Sequence, residues 1–172
     1  DASRKFYGSY EGLFTACGLN YDEYRTDTSL ASYYGRALED VFDEILTDLN
    51  VEHVKQPAIN GCHPDFVSGS TWYDAKLSEW TINLADCHTV RKYEPHCDNL
   101  VIVFLRGNRE TDRHISEKTR LVNIYKFVNL LPIDRQLKYK VALDEIESNV
   151  NSNGIGSHSE NKTAQQGDDN RW

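Results

Sequence analysis

The chain has 172 residues, a net charge of −8, and 10 Tyr, 6 Phe and 3 Trp. That length suits one domain with a real core plus a small appendage, and the aromatic content excludes a disordered composition. No run approaches the roughly 18 apolar residues of a membrane span, and no signal-peptide pattern opens the chain. The excess of acid argues against a broadly cationic nucleic-acid binder, but not against an acidic site that works through a divalent metal.

Met is absent and the chain opens at Asp1, so it reads as a segment of a longer product. The four cysteines (Cys17, Cys62, Cys87, Cys97) are expected as reduced thiols in a cytoplasmic setting, because a core of this size needs no disulfide staples.

Near the N-terminus, Ser9 is placed to cap a helix in which Tyr10, Leu13, Phe14 and Cys17 recur at helical spacing before Gly18 ends it. The stretch Gly8-Ser9-Tyr10 through Thr15-Ala16-Cys17-Gly18 resembles the end of a homing-endonuclease-associated repeat, which implies DNA contact. A capping helix packed on the domain is the alternative. Residues 1–28 are taken as this N-terminal segment. Thr26 and Asp27 are turn-forming and lead into the next helix.

From Ser32 to Leu49, Leu38, Val41, Phe42, Ile45, Leu46 and Leu49 follow the period of an amphipathic helix. At about 100° per residue, Glu39 lies at the edge of that stripe, while Asp43, Glu44 and Asp48 lie farther round. Val51 to Gln56 reads as a strand.

Next come two apolar runs, Phe66-Val67 and Thr71-Trp72-Tyr73, on either side of Gly69-Ser70, a pair suited to a two-residue hairpin loop. That loop sets Asp65 opposite Asp74, with Lys76 on the same face as Asp74 and Ala75 turned away. Opposed carboxylates repel unless a proton or a cation sits between them. Leu77 to Trp80 ends the second strand, and Thr81 to His88 is polar and weakly helical.

Leu100-Val101-Ile102-Val103-Phe104-Leu105 reads as a strand buried on both faces. Residues 106–119 read as a charged loop, Leu121 to Phe127 as a strand running into a helix, and Ile133 to Ser148 as a helix whose apolar residues are Leu137, Val141, Leu143 and Ile146. Residues 149–172, rich in Asn, Ser, Gly and Gln, read as a disordered tail.

Pro64-Asp65, a short spacer and then Asp74-Ala75-Lys76 resemble the signature of the PD-(D/E)xK nuclease superfamily. Gly35-x-x-x-Glu39-x-x-Phe42 resembles that superfamily's first helix. The resemblance implies an α/β, restriction-endonuclease-like core over residues 29–148, a central mixed β-sheet flanked by helices. It also implies Mg²⁺-dependent hydrolysis of DNA, with Mn²⁺ as substitute and RNA left open as substrate. Asp65, Asp74, Glu39 and the Ala75 carbonyl would hold the metal, and Lys76 would orient the attacking water. A homodimer would supply the two sites that cutting both strands calls for.

Arg91-Lys92 and Arg106, Arg109 and Arg113 are candidate phosphate contacts, and Gln56 is a candidate support for the site. Two alternatives stand beside the nuclease. One is an inactive DNA-binding module on the same fold. The other is a zinc-stabilised interaction domain built on Cys62-His63, Cys87-His88 and His96-Cys97, whose spacings match no familiar zinc motif.

Overall fold

The structure, a computed structural model, describes residues 2–19, 28–82 and 87–155. Helices α1 (Ala2–Tyr7) and α2 (Tyr10–Ala16) open it. Ser9 caps α2 as its position predicts, its hydroxyl accepting from the Gly12 N–H at 3.0 Å. The expected turn at Thr26 and Asp27 lies outside the described residues.

Helix α3 covers Thr28–Asp48, one turn longer at its start than the apolar period suggests. Its stripe is the predicted one: Leu38, Phe42, Ile45 and Leu46 are wholly buried. The strand expected over residues 51–56 contracts to β1 (Val54–Lys55), and Gln56 after it takes a left-handed φ of 48°. β2 (Phe66–Ser68) and β3 (Thr71–Ser78) form the expected hairpin, in register Phe66↔Tyr73, Val67↔Trp72, Ser68↔Thr71. Gly69 sits at φ 57°, the positive value that a type II′ loop demands of its first residue. β3 stops at Ser78 rather than Trp80, because the chain turns into a 3₁₀ helix at Glu79–Thr81.

Helix α4 (His88–Tyr93) is the crossover that lets β4 (Asn99–Arg106) lie parallel to β3. β5 (Asp112–His114) and β6 (Thr119–Asn123) follow. β5 corrects the expected loop over residues 106–119: its three exposed polar residues carry no apolar signal, and only backbone pairing to β6 makes them a strand. Short helix α5 (Ile124–Val128) and long helix α6 (Ile133–Ser152) complete the chain.

The six strands form one mixed sheet in the order β1-β2-β3-β4-β6-β5. β4 has parallel neighbours on both sides, and Leu100 to Leu105 are all buried, as its unbroken apolar run predicts. Alternation divides the core in two. Val101, Val103 and Leu105 join Tyr73, Ala75 and Leu77 under α3, α5 and α6. Leu100, Ile102 and Phe104 join Trp72 under α4, with Tyr93, Cys62 and Cys97.

Two C-terminal expectations are corrected. Helix α6 buries Tyr139, Leu143, Ile146 and Val150, while Leu137 and Val141 are 68% and 59% exposed. Two apolar rows run along this helix, and contacts to α3 select between them. The Tyr139 hydroxyl donates to Asp48 at 2.7 Å, and Arg135 pairs with the same carboxylate at 2.8 Å. The expected tail begins too early, since α6 runs to Ser152 and Ile155 is buried, its carbonyl accepting from Arg106. Residues 156–172 lie outside the described residues.

Candidate active site

Asp74 projects from β3 to the α4 side of the sheet, the side of Trp72, and is only 3% exposed. Asp65 stands just before β2, where the ladder departs from regular pairing. Its N–H donates to the Tyr73 carbonyl at 3.1 Å and its carbonyl accepts from the Gln56 N–H at 2.8 Å. Its carboxylate Oδ2 accepts from the Ala75 N–H at 2.6 Å. The side chain thus takes the place of a strand carbonyl as acceptor, which holds the carboxylate beside the middle of β3.

The electrostatics show that the two acids share one neighbourhood. Burial and the charge of Asp74, with a further contribution from Glu39, push the Asp65 carboxyl up to about 7, against the opposing pull of the Ala75 N–H and Lys76. Glu39, on α3, acts on Asp65 as a further charge, although α3 packs on the face of the sheet opposite Asp74. The Gln56 side-chain amide donates to Glu39 Oε2 at 2.8 Å.

Lys76 forms an ion pair with Asp74 Oδ2. Asp74 Oδ2 is buried, and the Lys76 ammonium is the charge set against it. A buried carboxylate is expensive unless a positive charge approaches it, and Lys76 supplies one here. A hard divalent cation, bound through one or two carboxylates and several waters, fits such a donor set. Among the described residues no group of three or more His, Cys, Asp or Glu comes together as a ready metal cage. An ion here would rest on Asp65 and Asp74, with the Ala75 carbonyl and water completing its shell, and on Glu39 through water.

Tyr93 was not singled out by the sequence. It closes the site from α4, its hydroxyl donating to the His63 carbonyl at 2.9 Å and its ring 5.7 Å from that of Trp72. Burial first, and then the charges of Asp74 and Asp65, push its phenol up to about 12. No local pattern marks it, since only the crossover brings α4 over β3. Lys76 also lines a cavity of about 200 Å³, with Thr81, Ile82, Cys87, His88, Thr89 and Ile102 as the other walls.

The candidate phosphate contacts have partners within the fold, Lys92 through the Tyr93 ring 5.2 Å from its ammonium. Arg109 pairs with Asp144 and Glu147, Arg113 lies 3.8 Å from Glu79, and Arg106 stacks on Trp80. Arg91 and Lys92 are exposed on α4, next to Tyr93. All four cysteines are free. The Cys62 thiol donates to the Lys92 carbonyl and the Cys97 thiol to the Tyr93 carbonyl, and His96 stacks on Trp72. Cys62, Cys97 and His96 thus make packing contacts within the fold.

Compared with family models, with characterised proteins and with solved structures, the chain matches none. Among the described residues no helix is long and apolar enough to cross a membrane.

Proposed function

We propose that this chain is a divalent-metal-dependent nuclease with a restriction-endonuclease-like core, hydrolysing phosphodiester bonds in DNA. The observation that carries the proposal is the pairing of a carboxyl raised to about 7 on Asp65 with the buried carboxylate of Asp74, the Lys76 ammonium set against it. Packing demands none of these three polar groups on one side of a sheet. A helix, an antiparallel meander, a crossover helix and a parallel central strand in that order agree with the proposed core.

A bound Mg²⁺ would supply Lewis acidity and a more acidic water. The chain's own residues do the rest. Asp65 and Asp74 would hold such an ion as carboxylates, which calls for Asp65, raised to about 7, in its deprotonated form. Glu39, steadied by Gln56, holds water on the α3 side. Lys76 orients the attacking water and offsets charge on the phosphorane oxygens. Arg91 and Lys92 on α4 offer positive charge to the backbone of the nucleic acid.

The test is cleavage of supercoiled plasmid, and of a labelled RNA in parallel, with Mg²⁺ or with chelator. Cutting that needs the metal and drops at least about a hundredfold in Asp74→Ala and Lys76→Ala is expected, the scale of losing a charge-stabilising group. Undiminished cutting by both variants ends the assignment.

A further inference from the structure

The cavity of about 200 Å³ beside Lys76 lies between the start of α4 and the sheet. Ile82 and Ile102, both buried, give it apolar walls, and Thr81, His88 and Thr89 add side chains that donate or accept hydrogen bonds. Lys76 belongs to both places, since its ammonium pairs with Asp74 and its side chain forms one wall of the cavity. The cavity therefore adjoins the acid pair and is not a separate feature of the surface.

Size and lining narrow the occupant. Whole small ligands fill clefts of roughly 300–1,000 Å³, so a cavity of about 200 Å³ takes one part of a larger molecule. A phosphate is a poor fit, since the two buried isoleucines would strip its water and give no N–H in return. A flat heterocycle fits, with its faces against the isoleucines and its polar edges towards the threonines and the histidine. A base still in its pair does not fit, because the partner base extends the flat group beyond such a space.

We propose that this cavity receives one unpaired nucleobase of the nucleic acid, from the nucleotide next to the phosphate held at Asp65 and Asp74. The proposal rests on the nuclease reading and narrows its substrate to a strand with an unpaired base at that place, either single-stranded or drawn out of a duplex.

Binding and cutting are measured separately, so that the two readings fail separately. For binding, fluorescence anisotropy with Ca²⁺ in place of Mg²⁺ compares a labelled single strand with an abasic strand of equal length. The strand with bases should bind about tenfold more tightly, the scale of one base held in a pocket. Thr89→Phe, which fills the cavity, should remove most of that difference. Thr81→Phe repeats the test from another wall, and circular dichroism checks that each variant folds. Equal binding of the two strands, binding of neither, or a preference that both variants retain overturns the proposal. For cutting with Mg²⁺, one sequence is offered as an intact duplex, as a duplex with a one-nucleotide bulge and as a single strand. Because unpairing a base is costly, the intact duplex should be cut at least about tenfold more slowly than the faster of the other two, and which of those is faster tells an extruded base from a free strand. An intact duplex cut as fast as both overturns the proposal and leaves the nuclease reading standing. Base-dependent binding that Thr89→Phe abolishes, with no strand cut, supports the cavity's ligand and ends the nuclease reading.

Discussion

Asp65→Asn tests the central electrostatic claim without any substrate. The substitution keeps the size of the side chain and an oxygen that can accept from the Ala75 N–H, but removes the charge. In an unfolded chain the carboxyl titrates near 3.8, whereas in the fold burial, Asp74 and Glu39 lift it to about 7. Between those values the native state binds more protons than the unfolded state, so stability falls as pH rises. Below about pH 4 both states are protonated and the penalty is absent; above about 7 it is fully present. A rise from 3.8 to about 7 corresponds to at most roughly 4 kcal/mol, so a gain of about 2–4 kcal/mol is expected. Urea melts of both proteins at a series of pH values read it directly. Asp65→Asn should be the more stable at pH 8, and the two curves should converge near pH 4. Added Mg²⁺ should raise the stability of the wild type at pH 8 and that of the variant much less, since a ligand that binds only the native state stabilises it by mass action. A variant less stable than wild type at pH 8, or a difference that does not change with pH, refutes the reasoning.

Two further outcomes concern the backbone around the site. Gln56 pays for its left-handed φ of 48° with strain while holding Glu39, so Gln56→Gly should be more stable than Gln56→Ala by about 1 kcal/mol in chemical melts, the reverse of the usual order. Both should impair metal-dependent cleavage. Gly107 has φ 145°, and an added Cβ would stand 2.7 Å from Glu79 Oε2 and 2.8 Å from the ring of Phe104, which is wholly buried and cannot retreat. Gly107→Ala should therefore lower stability by about 2–3 kcal/mol, and a variant as stable as the wild type would show that this corner yields freely.

Much of the site was legible in local pattern. The hairpin register followed from Gly69-Ser70 and the alternation of Phe66-Val67 against Trp72-Tyr73, and the position of Glu39 followed from the α3 stripe. The break in pairing at Asp65, which lets its carboxylate accept from the Ala75 N–H, was not legible, because it depends on the chain before β2 turning away towards Gln56. Tyr93 was equally hidden, since its meeting with the acids spans the whole crossover from β3 to α4. In α6 the periodicity offered two apolar rows, and the bonds to Asp48 chose the one that holds Tyr139.

Local chemistry, then, was enough for the long helices, the tight loop and the strand buried on both sides, because each is set by neighbours three or four residues away or fewer. What needed the assembled fold was the environment of the charges. How far a carboxyl is desolvated, which acid it faces and which row of a helix meets the core are settled by segments far apart in the chain. Their energies exist only once those segments pack together and exclude water.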